Sequence, residues 1–230
     1  MKIKIADLII QINDNNEKLS LFFEDYISDG KTDIEINISQ DDIDYEKKLY
    51  TLSNLSDFEY YLLSIHRKIA ESLPEFDAFL FHGSAIYYNK TATILSGSSG
   101  AGKSTHAELL EKHKEIKIIN DDKPIVRFIN DIPFVYGTPW DGKHHKNENI
   151  CKPLSNIVFI NKNKKNEIVK INKENAFIKA LEQTYRPVSN EQKIIKTINI
   201  LNKVIKSTNQ YDLYCDISTK AADTSFEIIK

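Results

Sequence analysis

The chain has 230 residues, 41% of them hydrophobic and 28% charged, and a formal net charge of −2. That is enough chain to bury a full core, with the composition of an ordinary soluble protein. The charge balance excludes a dedicated basic nucleic-acid binder, and no apolar run approaches membrane-spanning length.

Met1-Lys2-Ile3-Lys4-Ile5 lacks the apolar stretch and cleavage site of a signal peptide. Cys151 and Cys215 match no metal or redox spacing, so inert thiols in a reducing cytoplasm are expected. Arg67, Arg127 and Arg186 are the only arginines, and surface ion pairs are their expected role.

In chain order, residues 3–12 and 33–39 alternate well enough to be strands, Ile34-Glu35-Ile36-Asn37-Ile38 most clearly. Asp57 is placed to cap a helix over 58–73, with Tyr61, Leu62, Ile65 and Ile69 on one stripe and Pro74 ending it. A hairpin is expected from 78–88 across a turn at Asn89-Lys90 into a strand over 91–96. Residues 116–119 read as a strand, and 125–128 with 133–137 as a second hairpin. A polar loop over 138–152 precedes a strand at 157–160. Helical spacing covers 175–183 and 191–206, and a late strand at 211–217 precedes a short helix. Asn161-Lys162-Asn163-Lys164-Lys165 is a basic patch without aromatic interleaving, expected to be a solvated hairpin tip. Many hairpins and few βαβ repeats predict an α/β fold with a mixed, twisted sheet.

The most informative segment is Gly97-Ser98-Ser99-Gly100-Ala101-Gly102-Lys103-Ser104-Thr105, which fits Gly-x-x-x-x-Gly-Lys-Ser. Glycines let backbone N–H groups crowd around phosphate oxygens, because no Cβ blocks the approach. Lys103 supplies a mobile cation for the outer phosphates, and the Ser104 hydroxyl suits Mg²⁺. A strand enters the segment and a helix leaves it, the context the motif needs. ATP and Mg²⁺ are therefore the expected ligands.

Three further segments are expected to meet the phosphates. Asp121-Asp122 ends a strand, where one carboxylate could serve the Mg²⁺ shell and the other accept a hydroxyl proton. The bland alternative is a plain turn, since Asn-Asp-Asp-Lys-Pro is good turn chemistry. His82-Gly83-Ser84 lies in the hairpin that feeds the loop. Thr138-Pro139-Trp140-Asp141-Gly142-Lys143-His144-His145 gathers the chain's only tryptophan and three potential cations. Trp140, Lys143, His144 and His145 are its candidate substrate contacts, in a loop read as a closing lid, with packing of Trp140 on the core as the alternative.

In order and spacing, His82-Gly83-Ser84-Ala85, Gly97 to Thr105, Asp121-Asp122 and Gly137-Thr138-Pro139-Trp140 with Gly142-Lys143-His144 resemble the HPr kinase/phosphorylase catalytic domain. The chain looks most like the short HPr-kinase-related proteins often encoded beside peptide-modifying enzymes, including those of lasso-peptide clusters. The resemblance covers about 76–220 and implies a fold related to phosphoenolpyruvate carboxykinase. It implies ATP-dependent phosphorylation of a hydroxyl, often a serine. Carried over, His82 and Asp121 are the proton-handling pair, Asp122 is a metal-side carboxylate, and Lys103 and Ser104 grip phosphate and Mg²⁺.

Residues 76–230 are then the expected kinase domain and 1–75 an accessory segment of strands and one helix, matching no part of the family. The segment with which the family recognises HPr is missing. The acceptor is expected to be a peptide or protein serine, or else a small-molecule alcohol. A homo-oligomer stays open. The rival readings are a non-catalytic nucleotide sensor and a GTPase-like switch. Asn161-Lys162-Asn163-Lys164 begins like the guanine signature Asn-Lys-x-Asp, but Lys164 stands where the aspartate belongs.

Overall fold

The computed structural model describes residues 1–14, 16–51, 53–188 and 190–230. It opens with β1 (Lys2–Ile5) and β2 (Leu8–Ile12), an antiparallel hairpin rather than one strand over 3–12. Ala6 and Asp7 take φ of 53° and 56°, a mirror-type two-residue turn that matches the twist of its strands. Helix α1 (Glu17–Phe22) leads to β3 (Ile34–Ile36), which pairs parallel with β2 to complete a three-stranded sheet.

Two helices follow, α2 (Gln40–Leu49) and α3 (Asp57–Ser72). Ser56, not Asp57, caps α3. Its hydroxyl accepts from the Glu59 N–H while Glu59 accepts from the Ser56 N–H, so two orphan donors are satisfied reciprocally. α3 ends at Ser72 with Leu73 as its C-cap, just before Pro74, which sits in a short 3-10 turn over Leu73–Phe76. Arg67 is no surface pair. Its half-buried guanidinium meets Asp42 at 3.1 Å and Glu46 at 2.6 Å, joining α3 to α2.

The larger sheet has nine strands. β4 (Ala78–Leu80), β5 (Ser84–Tyr88) and β6 (Thr91–Ser96) come first, then helix α4 (Lys103–Lys114). After it come β7 (Lys117–Asn120), β8 (Ile125–Ile129), β9 (Ile132–Tyr136) and the long β10 (Cys151–Lys162). The chain closes with β11 (Glu167–Lys170), α5 (Lys173–Gln183), α6 (Glu191–Ser207), β12 (Asn209–Cys215) and α7 (Thr219–Ile229). The order is β4-β8-β9-β10-β6-β5-β7, with β12 on β10 and β11 on β12. Pairings of β10 with β6 and with β12 are parallel, and the other pairings of this sheet are antiparallel, so the sheet is mixed. Twelve residues let β10 pair first with β9 through Cys151–Pro153, then with β6 from Leu154 on, with a register shift between Leu154 and Asn156, and with β12 from Asn156.

The segment over 78–88 is not one hairpin arm. β4 pairs with β8 and β5 pairs with β6, and the chain changes neighbours at Phe81-His82-Gly83. At that break the Phe81, His82 and Gly83 N–H groups donate to Pro124, Gln183 and Asp122 carbonyls, each within 3.1 Å. His82 is thereby brought to the edge where β7 ends.

One apolar cluster runs from Ile3, Ile10 and Phe23 through Ile65, Ile69 and Leu73 to Ala78, Leu80 and Ile125. It packs the small sheet and α3 against β4 and β8. Two other clusters lie against the opposite faces of the large sheet, one under α5 and α6 and one under α4 and α7.

Gly137 marks the tightest crossing. A Cβ there would clash with the Glu148 carbonyl oxygen and meet the Ile119 oxygen at 3.0 Å. Both obstacles are backbone, so Gly137→Ala is expected to lower unfolding stability by about 3 kcal/mol or more. Urea titration of the purified variant measures it, and an unchanged midpoint would refute the crossing.

Candidate functional site

The glycine loop leaves β6 at its C-terminal end and enters α4. Gly97, Gly100 and Gly102 take φ of 139°, 76° and 101°, a region open to glycine and strained for other residues. The first turn of α4 carries no acidic residue, so its positive end faces the loop uncompensated. Lys103 is buried, and its Nζ donates to the Gly97 and Ser98 carbonyls at 3.1 and 3.2 Å. Burial lowers its pKa, partly countered by the charge of Asp122.

The loop forms one wall of a cleft of about 1030 Å³. His82 and Asp122 stand on one flank, Lys143 and His144 on another, and Lys162, Asn163 and Lys164 at the C-terminal end of β10. His82 Nε2 lies 3.3 Å from Asp122 Oδ1, and its Nδ1 lies 3.1 Å from Gln183 Oε1. With the Gln183 amide in that orientation Nδ1 carries a proton, and a protonated ring also donates to Asp122. Lys123 Nζ reaches the other oxygen of Asp122 at 3.2 Å. Burial alone would raise the Asp122 pKa, but the His82 hydrogen bond and the Lys123 charge outweigh it, and the net shift is downward.

The two aspartates part company. Asp121 is buried and does not line the cleft. Its Oδ1 accepts from the Gly142 N–H at 2.5 Å and its Oδ2 from the His144 N–H at 3.3 Å. The carboxylate expected to face the reaction is therefore occupied in holding a loop, and Asp122 takes the place beside His82. Asn120, which the sequence did not single out, organises the whole corner. Its Oδ1 accepts from the Asp122 and Lys123 N–H groups at 3.0 and 2.6 Å. Its Nδ2 donates to the Thr138 and Trp140 carbonyls at 3.0 and 3.1 Å. Turn chemistry and site geometry coincide here.

The loop after β9 divides the candidate substrate residues. Lys143 and His144 line the cleft, and His144 Nδ1 lies 2.6 Å from Glu108 on α4. Trp140 does not line it. Its ring packs on Phe22, Phe23 and His66 at centroid distances of 6.1, 5.7 and 4.6 Å, pinning the loop to the amino-terminal layer. His145 is 84% exposed and pairs with Asp141, so it also stands outside the cleft. The loop is tied further by Lys146 to Glu111, by Asn147 to Tyr26 and by Asn149 to the Asp25 carbonyl.

An anchored loop should protect its amides without ligand. In hydrogen exchange, Gly142, His144 and Glu148, whose N–H groups are bonded to Asp121, Asp121 and Ile119, should exchange slowly in the ligand-free protein. Fast exchange that slows only with nucleotide would favour the closing lid.

Ser104 lines the cleft, and its Oγ is 3.4 Å from the Asp121 carbonyl. Cys215 also lines it, its thiol pushed up to about 11 by burial, while Cys151 is exposed. Arg127 donates to the Phe76 and Ala6 carbonyls and Arg186 to that of Leu181, and among the described residues neither makes the expected ion pair. The basic run at 161–165 borders the cleft rather than solvent alone, through Lys162, Asn163 and Lys164.

No protein-family model matches the chain, and no curated protein matches its sequence. Among solved structures it is similar to the Hpr(Ser) kinase/phosphatase from Coxiella burnetii, with a TM-score of 0.36 and 9% identity over 65% of this chain and 95% of that one. No helix among the described residues is long and apolar enough to cross a membrane.

Proposed function

We propose that the protein is an ATP- and Mg²⁺-dependent kinase that transfers the γ-phosphoryl group to an aliphatic hydroxyl. A serine of a peptide or protein is the favoured acceptor, and a small-molecule alcohol comes next. The observation that carries this is the cleft itself: the glycine loop with Lys103 and the His82–Asp122 pair face one space.

In the reaction, the acceptor oxygen bonds to the γ-phosphorus and the bond to the β–γ bridging oxygen breaks, releasing ADP. The hydroxyl proton passes to the His82–Asp122 pair. Lys103 and the N–H groups of the loop and of α4 bind the phosphate oxygens and offset the charge that grows on them. Lys143, on the flank near His144, orients an anionic acceptor or the transferring group.

For Mg²⁺, the donor set fits a nucleotide-bound ion. Ser104 Oγ and the Asp122 carboxylate share the cleft, and Mg²⁺ commonly needs only one or two protein oxygens beside phosphates and water. Among the described residues no group of three His, Cys, Asp or Glu side chains could hold a metal on its own, which suits an ion that arrives with its nucleotide. When bound, the ion neutralises charge on the β- and γ-phosphates.

The test is turnover of γ-labelled Mg-ATP with serine-containing peptides and with small alcohols as acceptors. Label appearing on a hydroxyl supports the kinase. Tight binding of Mg-ATP without release of ADP under any acceptor would leave a nucleotide sensor.

A further inference from the structure

We propose that the nucleoside half of the nucleotide binds on the β10–β12 side of the cleft, between Ile217 and Leu109, with Asp216 toward the ribose. This rests on the reading of the glycine loop as a phosphate site.

The cleft is too large for phosphates alone. Its volume of about 1030 Å³ suits a whole small-molecule ligand. Transfer chemistry fixes the direction of that ligand. The terminal phosphoryl group must lie by His82 and Asp122, at the β5 and β7 side of β6. The rest of the molecule must then run the other way, past Lys103 toward β10 and β12, which continue the sheet on the far side of β6.

That side is built for a flat, partly apolar group. Thr105 and Leu109 are one turn apart on α4, so they share a face, and both line the cleft. They lead away from the glycine loop along one wall. Ile160 and Cys215, at the ends of β10 and β12, line the cleft between the two walls. Ile217 stands at the opposite rim and is 79% exposed, a large apolar side chain at the mouth of a polar cleft. An aromatic base laid against it removes that surface from water.

Polar groups frame the same end. The Asp216 carboxylate is held by Ser218 N–H at 2.9 Å and by Asn166 Nδ2 at 3.1 Å, both on Oδ1. Asp216 lines the cleft, and the oxygen assigned to the ribose hydroxyls is Oδ2, since these bonds all fall on Oδ1. Asn163 is fixed by its N–H to the Cys215 carbonyl at 2.9 Å, which seats the hairpin tip on the end of β12. Lys162 and Lys164 line the cleft there, and among the described residues neither has a carboxylate partner. Two free cations suit the inner phosphate of a polyanion. The resemblance of 161–164 to a guanine signature thus falls on a segment at the nucleoside end, with a cation in place of the base-pairing acid.

Calorimetry with two probes tests this, Mg-ATP and magnesium tripolyphosphate, on the wild type and on Ile217→Ser. The exposed position makes a folding defect unexpected, and a thermal melt checks it. Wild type should bind Mg-ATP more tightly than tripolyphosphate. Ile217→Ser should lose about tenfold in Mg-ATP affinity and less than about twofold for tripolyphosphate. Unchanged Mg-ATP affinity in the variant, or equal losses for both probes, overturns the placement while leaving the phosphate site intact. A wild type that binds neither probe removes the phosphate site itself, and the placement with it.

Discussion

Lys103→Ala should cost roughly 10²-fold or more in Mg-ATP affinity and leave turnover near background. The side chain is buried, with its ammonium at the mouth of the glycine loop, and it donates to the Gly97 and Ser98 carbonyls. Turned to a phosphate, the same donors make charge-assisted bonds, each worth about 1.5–3 kcal/mol. Each 1.4 kcal/mol is a factor of about ten in affinity, so two lost contacts reach that figure. The variant should still fold. Burial disfavours the charge on Lys103, so its removal relieves a cost as well as losing two loop contacts. Lys103→Arg keeps the charge but replaces a compact ammonium with a planar fork, and is expected to recover binding only in part. Calorimetry decides it. Unchanged affinity in Lys103→Ala would remove the phosphate-site assignment.

The sequence showed the site's parts better than their partners. A contiguous motif such as Gly97 to Thr105 carries its geometry with it, because the glycines and the helix start are local. Asp121 and Asp122 are different. Neighbouring residues at a strand end point to different sides, and which side faces the cleft is settled by the backbone of residues 142–144, some twenty positions on. Trp140, Lys143, His144 and His145 share a loop, and proximity along the chain does not say which of them faces inward. Trp140 found Phe22 and Phe23 in the amino-terminal layer, contacts that no local pattern announces.

Among the elements, α1 and α2 escaped because their apolar stripes are thin. The signal for α2 was a capping box, Ser39 with Asp42, three residues apart. The turn at Ala6-Asp7 has no glycine, proline or asparagine to mark it. Asp7 is held there by Lys4 at 2.9 Å and by the Tyr136 hydroxyl at 2.9 Å, the second contact a tertiary one. β11 was hidden in a polar run and is fixed by pairing with β12.

The second large effect separates the two aspartates. Asp122→Asn should lower kcat by roughly 10²-fold or more, the usual scale for loss of a general base, with Mg-ATP affinity held within a few-fold at saturating Mg²⁺. At limiting Mg²⁺ the requirement should rise, because the same carboxylate shares the cleft with Ser104. Asp121→Asn should behave as a structural lesion. An amide offers one acceptor where the carboxylate offers two, and its NH₂ would face the N–H of Gly142 or His144, donor against donor. Faster hydrogen exchange over 140–146 should accompany any loss of activity, and kcat and KM should move together. Exchange and kinetics measured on the same two preparations make the comparison. Should Asp121→Asn abolish kcat with the loop amides still protected, while Asp122→Asn turns over normally, the proton acceptor is Asp121 after all and the His82–Asp122 pair has another task.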